Sequence, residues 1–153
     1  MLKQLFFQTI KRLGAPVEIA PWATLRNQFF SMRVPSHWKV ETMDGSTVIE
    51  PGNGSDAITI TVRGNVHIPM TVTKQSILAM FAGPWDEEKV LMKRFPTHVE
   101  FNYSTVENGH VWHTRSFRKL DRMYLISINC DQSRWEADKE TFLFCLESFK
   151  MRS

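Results

Sequence analysis

The stretch Thr97 to Cys130 constrains the fold most, because it switches between apolar and polar residues through three successive runs with turn-forming residues between them. Successive side chains on a strand point to opposite faces, so a strand with one buried face must change character at every step. Val99, Phe101, Tyr103 and Thr105 alternate in this way with Glu100, Asn102 and Ser104. Glu107-Asn108-Gly109 then supplies residues that tolerate the left-handed backbone of a tight hairpin. A second extended run covers His110 to Arg118, and a reversal around Leu120-Asp121-Arg122 leads into Met123 to Cys130. There Tyr124, Ile126, Ile128 and Cys130 share one face and Leu125, Ser127 and Asn129 the other, the pattern of a central strand with apolar weight on both sides. An antiparallel meander is predicted, with the remaining elements as partner strands or covers.

The flanking elements follow from the same two periodicities. Leu2, Leu5, Phe6, Thr9, Ile10 and Leu13 recur at helical spacing and predict an amphipathic opening helix over 1–13, closed by Gly14 and Pro16. A cover over a sheet accounts for it better than a membrane-surface anchor. Val17 to Arg26 reads as a proline-punctuated connection, and Phe29 to Val34 as an extended run ended by Pro35. Trp38-Lys39-Val40 opens a short strand, and Asp44-Gly45 signals a hairpin into Thr47-Val48-Ile49-Glu50. Pro51 to Ser55 is a turn and not a phosphate loop, because no Gly-Lys-Ser/Thr follows it. Ala57 to Arg63 sets Ile58, Ile60 and Val62 against Thr59, Thr61 and Arg63, and must pair with the strand before it. Thr73 can cap a helix carrying Ile77, Leu78 and Phe81, ended by Gly83-Pro84, and a second short helix is predicted from Asp86 to Lys93. After a loop from Asp131 to Trp135, Glu136 to Lys150 reads as the last helix, with Phe142, Cys145, Leu146 and Phe149 on one stripe.

A chain of 153 residues fits one domain, with residues 1–13 as an added helix and 27–150 as the core. The formal charge of +3 is spread without a Lys/Arg run, which argues against nucleic acid as a partner. No stretch has the roughly 20 apolar residues of a spanning helix. Met1 to Gln8 begins like a signal peptide, but Gln4, Gln8, Lys11 and Arg12 interrupt its apolar run, so a soluble cytoplasmic protein is expected. Cys130 and Cys145 fit two reduced core thiols, although spacing alone would also allow a disulfide.

Catalytic or metal chemistry finds little support in the residue pattern. His110 and His113 flank Trp112, but residues three apart on a strand face opposite sides and cannot share a metal without a bulge. His37, His67 and His98 are dispersed, and no nucleophile-elbow glycines surround Ser116 or Ser127. Asp86, Glu87 and Glu88 fit a solvated helix start better than acid–base work. No catalytic residue, metal ligand or cofactor is assigned. Trp112, Thr114, Ser116 and Arg118 share one strand face, against His113, Arg115 and Phe117 on the other. Tryptophan and arginine are enriched at protein interfaces, while the plainer reading, which weighs more, makes Trp112 or Phe117 core and the arginines rim. Trp85, after Gly83-Pro84, is a loop anchor or a plug over the core. The candidate protein-binding residues are therefore Trp85, Trp112, His113, Arg115 and Arg118.

The order of elements resembles the superfamily of PsbP-like domains, which includes DcrB-like bacterial proteins, a Ran-binding nuclear import factor and type VI secretion effector chaperones. The resemblance is carried by Phe30-Ser31-Met32-Arg33-Val34-Pro35-Ser36-His37-Trp38 and by the closing Phe142 to Phe149, with Leu146-Glu147-Ser148-Phe149 at its end. It implies an α+β fold: an antiparallel six- to seven-stranded sheet covered by helices in an α/β/α sandwich, used mostly to bind other proteins. It names no catalytic residue, and the helix before Gly14 departs from the compact pattern. A non-enzymatic binding module is expected, in the form of an accessory, chaperone or immunity-type partner of a secreted bacterial effector, with a homodimer also compatible. The alternative is a small-molecule binder or hydrolase with a cleft between sheet and helices, which a deep pocket with converging polar groups would favour.

Overall fold

The computed structural model describes residues 21–64, 73–79 and 85–152. The opening helix over 1–13 with Gly14 and Pro16, His67, and the Phe81 and Gly83-Pro84 end of the mid-chain helix lie outside these residues. The described residues divide into two compact units, those of 21–38 with 148–152 and those of 39–147.

The smaller unit holds a three-stranded antiparallel sheet. β1 (Trp22–Arg26) and β2 (Phe30–Pro35) form a hairpin, and the chain's last strand, β10 (Lys150–Met151), pairs with the other edge of β2. Asn27 makes the turn, its Oδ1 accepting the Phe29 and Phe30 amides at 2.8 and 3.0 Å. The Arg33 amide donates to Ser148 Oγ at 2.8 Å, the Arg152 amide donates to the Phe29 carbonyl at 2.8 Å, and the Phe30 and Phe149 rings stack at 5.5 Å. Trp22 to Arg26 is thus a strand and not the expected connection. Pro21 stops short of it, and the Pro21 carbonyl accepts the Ser36 amide at 2.8 Å, so the proline costs the ladder nothing.

The larger unit is built on a seven-stranded antiparallel sheet. In chain order its strands are β3 (Lys39–Met43), β4 (Ser46–Glu50), β5 (Ala57–Arg63), β6 (Leu91–Arg94), β7 (Val99–Glu107), β8 (His110–Lys119) and β9 (Arg122–Asp131). Across the sheet they run β3-β4-β5-β9-β8-β7-β6. The tight hairpins lie where the turn chemistry predicts them, with Asp44 and Gly45 at φ 45° and 83° and Asn108 and Gly109 at φ 53° and 75°. β9 is central, pairing with β5 on one side and β8 on the other.

Register sorts the side chains onto two faces. Ile49, Ile58, Ile60, Tyr124, Ile126, Ile128 and Cys130 lie on the first face and are all fully buried. The long helix α2 (Gln132–Glu147) runs along this face over β8 and β9, burying Phe142, Cys145 and Leu146. On the second face Val90, Val99, Phe101, Tyr103 and Met123 cluster with Leu78, Trp85, Met92 and Leu125. Leu78 ends the short helix α1 (Lys74–Leu78), whose Lys74 Nζ donates to the Glu87 and Val90 carbonyls at 3.2 and 2.8 Å.

Two further segments differ from expectation. The helix predicted from Asp86 to Lys93 is a 3-10 turn over Glu87–Lys89, followed by β6. Asp86 caps the turn, its side chain accepting the Glu88 amide, but buried Val90 is extended and the chain then pairs with β7, so edge pairing overrides helix propensity. The last helix covers Gln132–Glu147 and not Glu136 to Lys150. Asp131 Oδ1 accepts the Ser133 amide at 2.8 Å, which starts the helix directly at the end of β9 and leaves no Asp131 to Trp135 loop. Lys150 is withdrawn from the helix by its pairing in β10.

Asp56 fixes this junction. Its carboxylate, 0% exposed, accepts Arg134 Nε and Nη2 at 2.9 Å each and the Asp131 amide at 2.9 Å. One side chain thereby joins the β4–β5 loop, the end of β9 and the first turn of α2. Burial pushes the Asp56 carboxyl up, but the hydrogen bonds from Arg134 and the Asp131 amide and the attraction of the guanidinium outweigh it, so its pKa lies below the usual carboxylate value. A depressed carboxylate pKa contributes stability above the unfolded value of about 4 and loses it as pH falls through the folded value. Asp56→Ala is expected to cost about 2–4 kcal/mol at neutral pH, since Arg134 is 38% exposed and can turn to water. It should also flatten the stability profile below about pH 4, as urea unfolding at several pH values would show.

Candidate functional site

The second face of the sheet carries a hollow of about 390 Å³. The β7–β8 hairpin builds its bed. Tight turning at Asn108-Gly109 puts Thr105 opposite Trp112 and Tyr103 opposite Thr114, so both aromatics stand on one face as diagonal neighbours. Leu125 and Ser127 of β9 continue the bed, with Thr114 Oγ1 and Ser127 Oγ hydrogen-bonded at 3.2 Å. Trp85 closes one wall, its ring meeting Tyr103 edge-on at 5.1 Å and 62°. The Asp86 amide donates to Tyr103 Oη at 3.4 Å, which anchors the Trp85 segment over the sheet. Glu107, Asn108 and His110 form the rim at the hairpin tip.

The sequence candidates are divided by this geometry. Trp85 and Trp112 come together in the hollow, and Trp112 remains 37% exposed. Arg118 shares their face but lies opposite Val99 and Met123, away from the lining. His113 and Arg115 are on the first face. Arg115 Nε donates to Asn102 Oδ1 at 2.6 Å and its Nη2 to Glu147 Oε2 at 3.2 Å, joining β7, β8 and α2, and its side chain is only 17% exposed. His110 and His113 are on opposite faces, as strand periodicity requires.

Sequence reasoning missed Tyr103, Glu107, Leu125 and Ser127 as lining residues. The hairpin turn at 107–109 already determined the register that brings Tyr103 beside Trp112, so that pairing was available as a signal. Trp85 had no such signal, because its place depends on contacts distant in sequence.

Two other clusters bear on chemistry. Ser104 Oγ and His113 Nδ1 are 2.5 Å apart across the ladder. Among the described residues no carboxylate is hydrogen-bonded to His113 to orient it as a general base. Burial, and then the Arg115 guanidinium, hold the His113 pKa below the usual imidazole range. Proton uptake by His113 is therefore harder in the folded chain, and the stability tied to its neutral form is lost as pH falls below the unfolded imidazole value of about 6.5. His113→Gln should remove that part of the acid slope in pH-dependent unfolding, leaving the Asp56 part at lower pH.

The ligand atoms of Asp56, Cys130 and Asp138 lie within 4.8 Å of one another, a spacing suited to a metal. Both Asp56 oxygens already accept Arg134 donors, so a cation there would have to displace a guanidinium. Burial, with the charge of Asp56 behind it, pushes the Cys130 thiol up to about 12, and burial pushes Cys145 to about 12 as well. Both cysteines are buried thiols outside any disulfide. Neither should react with iodoacetamide at neutral pH in the folded protein, and both should do so in denaturant, as mass spectrometry would detect.

Structural comparison matches cyanobacterial PsbP from Synechocystis, with a TM-score of 0.65 and 10% identity over 94% of this chain and 99% of that one. The fold is PsbP-like. A Bacteroides thetaiotaomicron protein is similar with a TM-score of 0.48 and 16% identity, covering 81% of this chain and 45% of that one. LpqN of Mycobacterium tuberculosis, a protein involved in cell envelope biogenesis, is similar with a TM-score of 0.40 and 11% identity over 87% of this chain and 86% of its own. No family model matches the sequence, and no curated protein does. Among the described residues no helix is long and apolar enough to cross a membrane.

Proposed function

We propose that this protein is a non-catalytic binding module that holds a side chain of another protein in the hollow between Trp85 and Trp112. The observation that carries this reading is the convergence of Trp85, Tyr103 and Trp112 on one hollow over a bed of small and hydroxyl-bearing residues. Tryptophan and tyrosine in a concave, partly desolvated setting are the usual energetic anchors of protein interfaces, because they bury much apolar area with little loss of side-chain freedom. Arg115 is engaged within the fold, which moves the reading from the mixed set of Trp112 and Arg115 to the second face alone.

In its specific form the module is a cytoplasmic accessory, chaperone or immunity-type partner of a secreted bacterial effector, which rests on fold analogy. A second reading, a small ligand in the same hollow, is favoured by the volume of about 390 Å³, within the roughly 300–1,000 Å³ of small-molecule sites.

An affinity pull-down of tagged protein from the native organism separates these readings. The partner should be retained by Arg115→Ala and lost by Trp112→Ala, with binding weakened by about tenfold or more. A partner held equally well by Trp112→Ala would place the interface elsewhere, and a clean column with folded protein would favour the small ligand.

A further inference from the structure

We infer that the hollow is selective for a cationic side chain, a lysine or arginine presented by the partner protein. The inference rests on the binding reading above and adds the chemistry of the group that is bound. Aromatic rings carry negative charge on their faces and attract ammonium or guanidinium groups placed over them. Trp85 stands at 62° to Tyr103, and Trp112 rises beside Tyr103 from the next strand, so the rings meet the hollow from different directions.

Charge at this end of the sheet points the same way. The chain is formally +3, yet Glu107 is the carboxylate in the lining and Asp131 lies across the ladder from the rim residue His110. Asp86, Glu87 and Glu88 follow Trp85 directly, and Lys89 nearby is drawn to Asp86 at 3.8 Å. A carboxylate, Glu107, set in the lining of an aromatic hollow is complementary to a cation. The bed supplies the remaining recognition, with Leu125 for an aliphatic stem and the Thr114 and Ser127 hydroxyls as acceptors for N–H groups.

The test follows the indole N–H resonances of Trp85 and Trp112 in ¹⁵N-labelled protein during titration with Nα-acetylarginine amide and with Nα-acetylcitrulline amide, its neutral analogue of the same shape. The arginine compound should move both resonances and bind about three- to tenfold more tightly than the citrulline compound. Glu107→Gln should reduce that preference while the dispersion of the unliganded spectrum still shows a folded protein. Equal affinity of the two probes, with both indoles moving, would overturn the cationic assignment and leave the binding reading in place. Movement of neither indole by either probe would overturn both. Choline binding more tightly than the arginine compound would overturn the assignment to a protein side chain in favour of a free ammonium ligand.

Discussion

The Asp56 carboxylate is the constraint on which the larger unit most depends. A buried charge must be paired and hydrogen-bonded or it is expelled, and here the pairing comes from three places in the chain at once. Arg134 reaches Asp56 with two nitrogens, the Asp131 amide adds a third donor, and Asp131 caps the helix that carries Arg134. The start of α2 is therefore set by the same atoms that hold the β4–β5 loop to the end of β9. From that start the helix lies along β8 and β9, and its far end returns a carboxylate, Glu147, to Arg115. Helix placement over the first face is thus pinned near both ends by polar contacts, while Phe142, Cys145 and Leu146 supply the apolar contact between them.

That placement decides what each face of the sheet can do. The first face carries a buried set of isoleucines with Tyr124 and Cys130, and the helix covers its β8–β9 part. Its polar members, Asn102, Arg115, Ser104 and His113, bond one another across the β7–β8 ladder. The second face is uneven. Its β6–β7 side is sealed by Leu78, Trp85 and Met92, and beyond that cluster the residues become hydroxyl-bearing or half-exposed aromatic. The hollow arises where a sealed region gives way to an unsealed one, which is why Trp85 and Tyr103 belong both to the packed cluster and to the lining.

The parts legible in the sequence are those governed by local rules. Alternation in Val99 to Thr105, Tyr124 to Cys130 and Ile58 to Val62 was enough to find the strands and to sort their faces correctly, because a residue's face follows from its parity alone. Asp44-Gly45 and Asn108-Gly109 marked the hairpins because few other residue pairs accept two consecutive positive φ angles. The elements misread were short and decided by partners far away. Trp22 to Arg26 lacks a strong pattern and becomes a strand by pairing with β2, and Leu91 to Arg94 does the same against β7. Asp131 reads as a loop residue in the sequence, whereas in the structure its side chain caps the helix.

By itself the sequence determined the antiparallel meander, the positions of the tight turns and the division of side chains between two faces. Tertiary structure alone decided that Trp85 would meet Tyr103 and share a hollow with Trp112, that Arg115 would be consumed by Asn102 and Glu147, and that Asp56 would find Arg134. The physical reason is common to all three. Backbone geometry fixes where a side chain points from its immediate neighbours, whereas the group it meets depends on which distant segment can desolvate and satisfy it, a choice made only when the whole chain packs.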